Sequence, residues 1–392
     1  MLSLYVMSFG RHICMLSLVF LFAVVSCAEK DSPVENSCPI EFSVADFSAE
    51  VRGSEITTDN ISGFGVFAAL ENHPQDGFED IVVSGLQLFM DDVPVTKSSE
   101  GVWSANPPHY WPILNDKSLS FFAYAPHSEG TGIVATAGWE QDNDTPKKTV
   151  TITYTLDPNP AKHVDLCVAQ AVLDRVPDMN DDGKPDPVSL DFEHTLASVT
   201  FAANYKGNIP EGCFLRIDEL VLNNIVNSNT LTYKYIKDGF FEWGSPPSDK
   251  VGNYMLNIGS LTLSSNAQLN QTVIPDSQSE PLPEDVYTDF VTANGIIYAL
   301  PQTINQQGAA VRSSIDVTFS YVKDDSNRTV IAQFYTSKDL PSSEWRVATK
   351  YKYNFTLDVT TASLVHISCV DQGTWMEDWK DSGNSQTDQI IK

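Results

Sequence analysis

Residues 178–186, Asp-Met-Asn-Asp-Asp-Gly-Lys-Pro-Asp, gather hard oxygen donors at regular spacing. Oxygens at loop positions 1, 3, 5 and 9, with glycine at 6, suit a calcium ion. Asp178, Asn180, Asp182 and Asp186 are therefore candidate ligands for Ca2+. The twelfth position is Ser189, which lacks the bidentate glutamate of an EF-hand. Asn, Asp and Gly also belong in any acidic turn. The loop is thus read as a candidate structural ion site, and no cofactor is required.

Other chemistry is sparse. HExxH, GxSxG, P-loop and GxGxxG patterns are absent, and none of the seven histidines pairs with another at metal-ligand spacing. His194 lies between apolar Phe192 and Leu196, which suits a satisfied structural histidine better than a catalytic base. Carboxylates are too numerous here for a pair of them to indicate a glycosidase. Trp103, Tyr110 and Trp111 could stack on sugars, but residues of this size more often fill a core. An enzyme is not expected.

Six cysteines are present, at 14, 27, 38, 167, 213 and 369. No CxxC occurs, so zinc-ribbon and redox readings are poor. Residues 15–26 form an apolar run of signal-peptide length that ends at Cys27. Small and aliphatic residues ahead of a cysteine resemble a bacterial lipobox, which makes Cys27 the candidate for lipidation. Residues 1–26 then read as a lipoprotein signal peptide and 27–37 as a polar tether. Cys38, Cys167, Cys213 and Cys369 remain as bridges or buried thiols.

The 392 residues carry 24 Lys+Arg against 51 Asp+Glu. Removing residues 1–27 takes away only Arg11, so the mature balance is 23 minus 51, or −28. Phosphate binding needs clustered cations, so nucleic acid is not an expected partner. A solvated, self-repelling surface outside the cell is the straightforward reading.

The elements that must position these residues are strands. Val150, Ile152, Tyr154 and Leu156 alternate with polar residues, as do Ile315, Val317, Phe319 and Tyr321. Tyr351, Tyr353, Phe355, Leu357 and Val359 repeat the pattern. Period-2 alternation between turn clusters predicts a mainly β chain of sandwich type. The length suggests two domains, and the Pro- and Asp-rich stretch 177–187 offers the internal boundary: 38–187 as an N-terminal domain and 188–392 as a C-terminal domain with a tail.

Several strings, in order, carry a family resemblance. Ile40-Glu41-Phe42 precedes Val51-Arg52 and Ile61-Ser62-Gly63-Phe64-Gly65-Val66-Phe67. Trp103, Tyr110-Trp111-Pro112 and Leu119 to Pro126 follow. Val188 to Ala197, Leu300-Pro301-Gln302, Trp345 with Tyr351-Lys352-Tyr353, and Trp375 to Trp379 complete the series. In this the sequence resembles the fimbrillin family, Mfa-like branch, of Bacteroides-type bacteria.

The resemblance implies two tandem transthyretin-like β-sandwich domains after the signal peptide. It implies a lipid anchor in the outer membrane, surface exposure and a place in a fimbria. It further implies that an Arg-specific protease removes the first strand, so that other pilus subunits pair by donor-strand exchange. Mapped here, the removable strand is Ile40 to Phe47, with Ile40, Phe42 and Val44 facing inward, and the processing site is Arg52-Gly53. Such a subunit, of stalk or tip, would serve adhesion through a host or bacterial surface receptor. The competing expectation is a surface glycan-binding lipoprotein outside any pilus.

Overall fold

The structure is a computed structural model. It describes residues 38–45, 56, 61–72, 87–113, 117–127, 131–142, 145–234, 240–256, 258, 261–263, 268–269, 287–290, 296–308 and 311–374. Among these residues the secondary structure is strand, apart from one short 3-10 turn at Pro160–Lys162. The expected mainly β class is what the chain adopts.

The N-terminal strands are β1 (Glu41–Val44), β2 (Gly63–Asn72), β3 (Gln87–Lys97), β4 (Trp103–Ala105) and β5 (Lys117–Ala125). They are followed by β6 (Ile133–Asp142), β7 (Thr145–Thr155), β8 (Cys167–Ala169) and β9 (Val172–Arg175). Then come β10 (Val188–Leu190), β11 (Phe192–His194), β12 (Ala197–Lys206) and β13 (Cys213–Val226). Nine strands join in one sheet ordered β10-β1-β4-β3-β2-β5-β8-β11, with β9 also on β5. Residues 188–194 therefore pair with strands from the first half of the chain. The acidic stretch ahead of them closes as a small hairpin, bridged at Met179 and Pro185.

The next strands are β14 (Ser228–Lys234), β15 (Phe240–Trp243), β16 (Val251–Leu256), β17 (Leu261–Thr262), β18 (Gln268–Leu269) and β19 (Thr288–Asp289). The last are β20 (Ile297–Ala299), β21 (Gln302–Ile304), β22 (Ser314–Lys323), β23 (Val330–Asp339), β24 (Ser343–Trp345), β25 (Thr349–Asp358) and β26 (Ser363–Thr374). One sheet is built on the parallel pair β12 and β25, with β26 beyond β25. A second runs β16-β13-β22-β23. A third, β15-β14-β7-β6, again joins strands from both halves.

Alternation explains the core. On β25, Tyr351, Tyr353, Phe355 and Leu357 point inward, where they share an apolar cluster with Phe201, Leu222, Val317 and Phe319. A second cluster gathers Ile40, Phe42, Phe64, Trp103, Trp111, Phe121 and Phe192. The central strands of the large sheet belong to both. On β5, Leu119, Phe121 and Ala123 face one cluster, while Phe122 and Tyr124 face the other. A strand buried on both faces loses its polar alternation, which is why Leu119 to Ala125 reads as an almost unbroken apolar run.

Candidate functional site: the first strand and the groove around it

Strand β1 is short and interior. Phe42 pairs with Val188 of β10 on one side, in parallel, and with Trp103 of β4 on the other, antiparallel. Backbone bonds extend the hold at both ends: Ile40 N–H donates to the His109 carbonyl at 2.8 Å, and Ala45 N–H to the Leu190 carbonyl at 3.1 Å. Trp111 N–H returns a bond to the Cys38 carbonyl at 3.0 Å. The strand thus closes a gap between β4 and β10 rather than lying on an edge.

Its side chains fill a slot. Ile40 and Phe42 are 1% and 3% exposed. The Phe42 ring meets those of Phe64 and Phe121 edge-on, at centroid distances of 5.9 and 5.7 Å. Val44 is only half-buried, packed at the margin of the same cluster. Burying an aromatic or aliphatic side chain of this kind is worth about 1.5–3 kcal/mol each. The described strand ends at Val44, short of the expected Phe47; residues 46 and 47 lie outside the described residues. Cys27, Arg52 and Gly53 lie outside them too.

The slot's wall includes two of the three aromatic residues considered for sugar stacking. Trp103 and Trp111 are each 5% exposed, while Tyr110 is 38% exposed. The core reading therefore describes the two tryptophans and not the tyrosine. On β2, Gly65 passes so close to Tyr124, His127 and Asp92 that a Cβ would stand 2.6–2.8 Å from all three. Tyr124 donates its hydroxyl to Asp92 Oδ1 at 2.7 Å, and burial, with Asp92 adding to it, pushes the phenol pKa up.

A buried polar group that sequence reasoning did not assemble sits beyond β8. His194 Nδ1 lies 2.8 Å from Asp165 Oδ2, and Cys167 Sγ lies 3.5 Å from the same ring nitrogen. His194 and Cys167 are direct partners across β11 and β8. Asp165 Oδ2 also accepts the Ile56 backbone N–H at 3.1 Å. The signal available in sequence was an acid at the head of an apolar strand, Asp165-Leu166-Cys167-Val168-Ala169, which implies a partner for the charge.

The loop 178–186 closes on itself, with Asp186 N–H donating to the Asp178 carbonyl at 2.8 Å. Asn180 Oδ1 accepts the backbone N–H groups of Asp182 and Lys184, both at 3.0 Å, and so serves the turn. Asp178, Asp182 and Asp186 do not form a converging carboxylate group; among the described residues the one such cluster is Asp165, Cys167 and His194. No described cysteine is in a disulfide: Cys38, Cys167, Cys213 and Cys369 are thiols.

Strand β26 pairs along β25, with Ile367 opposite Phe355 and Cys369 opposite Tyr353. Residues 375–392 lie outside the described residues.

Comparison with known proteins adds the following. No curated protein matches the sequence. A fimbrial protein from Bacteroides vulgatus has a similar fold, with a TM-score of 0.52 and 18% identity over 86% of this chain and 99% of that one. A candidate cell adhesion protein from Bacteroides uniformis matches more loosely, with a TM-score of 0.38 and 13% identity over 88% of this chain and 100% of that one. A family model described as fimbrillin-like matches residues 52–371. With most of its length inside that match, the chain belongs to the fimbrillin-like family.

Proposed function

We propose that this protein is a structural or tip subunit of a surface fimbria, exported as a lipoprotein through Cys27 and assembled by strand exchange. In this reading, cleavage at Arg52-Gly53 frees the segment that contains β1. A strand from another subunit then pairs with the vacated edges of β4 and β10 and fills the places of Ile40 and Phe42. An inserted strand of this kind is β-augmentation: main-chain bonds give affinity and alternate side chains give register.

The observation that carries the proposal is the interior position of β1. Removing an edge strand leaves one open edge; removing this one opens two, flanking an apolar slot. Unpaired edges beside apolar surface are unstable unless refilled. Anchoring in the outer membrane and the two-domain organisation, 38–187 and 188–392, are parts of the same proposal. So is recognition of a surface receptor.

The glycan-binding alternative draws less support, because Trp103 and Trp111 are core residues and only Tyr110 remains exposed. The test is intact mass and N-terminal sequencing of protein taken from the native cell surface. A terminus at Gly53 in SDS-resistant ladders is the expected result. A terminus at acylated Cys27, in monomer only, would overturn the exchange mechanism.

A further inference from the structure

We propose that Asp165, Cys167 and His194 form a structural site for a thiophilic divalent cation of the zinc class, bound inside the sheet that carries β8 and β11. The three ligand atoms lie within 4.8 Å of one another, and all three residues are buried. They come from neighbouring backbone already fixed in register: His194 faces Cys167 across the ladder. Thr195 locks that junction by donating both its N–H, at 3.0 Å, and its hydroxyl, at 2.7 Å, to the Leu166 carbonyl. Cys167 and His194 are thus set by β-pairing, and Asp165 stands two residues ahead of β8.

The distances suit the ion. Zinc binds thiolate at about 2.3 Å and imidazole or carboxylate at about 2.0–2.2 Å, so tetrahedral ligands stand about 3.6 Å (S to N) and about 3.3 Å (N to O) apart. The observed Sγ to Nδ1 distance is 3.5 Å, and Nδ1 to Oδ2 is 2.8 Å. Entry of the ion requires the histidine–aspartate pair to open by about half an ångström. The sulfur–nitrogen spacing is already correct.

The second observation is Asp165 Oδ1. The Asp165 side chain has no exposed surface, yet this oxygen has no hydrogen-bond partner. A buried orphan carboxylate oxygen is costly and calls for an explanation such as an ion. Bidentate binding by Asp165, with Cys167 and His194, supplies four donor atoms. The charges close as well: one carboxylate and one thiolate neutralise a divalent cation, and the imidazole stays neutral. A thiolate–imidazole pair selects zinc over calcium or magnesium. Each bound ion displaces the thiol proton, and any proton between His194 and Asp165, into solvent; no redox step is involved.

Because the site is closed, it loads as the chain folds. The test is to refold the mature chain with Zn2+ and measure metal by elemental mass spectrometry after gel filtration. The expected result is about one zinc per chain, falling below about a tenth in Cys167→Ala and His194→Gln and unchanged in Cys213→Ala. Refolding wild type with Co2+ gives an independent reading, a thiolate-to-cobalt charge-transfer band that needs no variant. Wild type that refolds without stoichiometric zinc and without that band would leave a hydrogen-bonded network only and overturn the site. Zinc retained in a natively folded Cys167→Ala would overturn it too.

Discussion

His163 shows how this protein handles a titratable group with little room for charge. Its ring packs edge-on against Tyr254 at 5.2 Å between centroids, and its Nε2–H donates to the Asp157 carbonyl at 2.8 Å. Burial lowers its pKa from 6.5, partly offset by that backbone bond. His366 is shifted the same way, by burial and by the nearby Lys338 ammonium. An unfolded chain takes up these protons near pH 6.5, while the folded chain resists them. Their contribution to stability is therefore full above about pH 6.5 and declines as pH falls through the unfolded value. We expect the urea midpoint to drop between pH 7.5 and 6.0, and His163→Gln to flatten the slope. An equal slope in the variant would assign the effect elsewhere. Residue-scale chemistry was the least legible level in the sequence. Asp165 and His194 are far apart in the chain, and nothing in either neighbourhood announces the other. The loop 178–186 reads as a candidate cation site, and in the fold its Asn180 oxygen accepts two backbone N–H groups of the turn.

Single strands were easier to read than their partners. The alternation at Val150 to Leu156, Ile315 to Tyr321 and Tyr351 to Val359 is that of β7, β22 and β25, because each has one buried face. Pairing leaves no such trace. The parallel bond of β1 to β10 and the antiparallel bond of β7 to β14 join distant segments, and alternation carries no address. The consequence of that hidden pairing is testable at β1. Phe42 is in contact with Phe64 and Phe121 only while the first strand is in place. Phe42→Ala should destabilise the uncut protein by about 3–5 kcal/mol, the usual cost of a large aromatic cavity. After cleavage at Arg52 and release of the strand, variant and parent are the same molecule there and should unfold alike. Chemical denaturation of cut and uncut forms, two by two, measures this directly. A penalty that persists after release would mean that the strand stays bound.

At the scale of the whole molecule, charge and assembly oppose each other. The chain belongs to a fimbrillin-like family, and in the fimbria proposed above its subunits must meet. Yet each chain processed at Arg52 as proposed carries 21 Lys+Arg against 45 Asp+Glu over residues 53–392, or −24 formal charges. Like-charged chains repel over a Debye length of about 10 Å at 0.1 M salt and about 30 Å at 0.01 M. In the proposed exchange, a strand inserted into the slot of another subunit would be held by apolar contact and main-chain bonds, which salt weakens little. Approach is the step that charge slows. Strand-exchange polymerisation of processed subunits should therefore speed up several-fold between 10 and 150 mM salt, a rate effect of long-range charge. The opposite trend, slowing with salt, would require a cationic patch on one partner that steers it to an acidic patch on the other. The described ion pairs favour the first outcome: the cations of Lys206, Arg216, Arg312, Arg346 and Lys352 are each matched to an acid on the same chain. Light-scattering kinetics of processed protein across that salt range decides between the two.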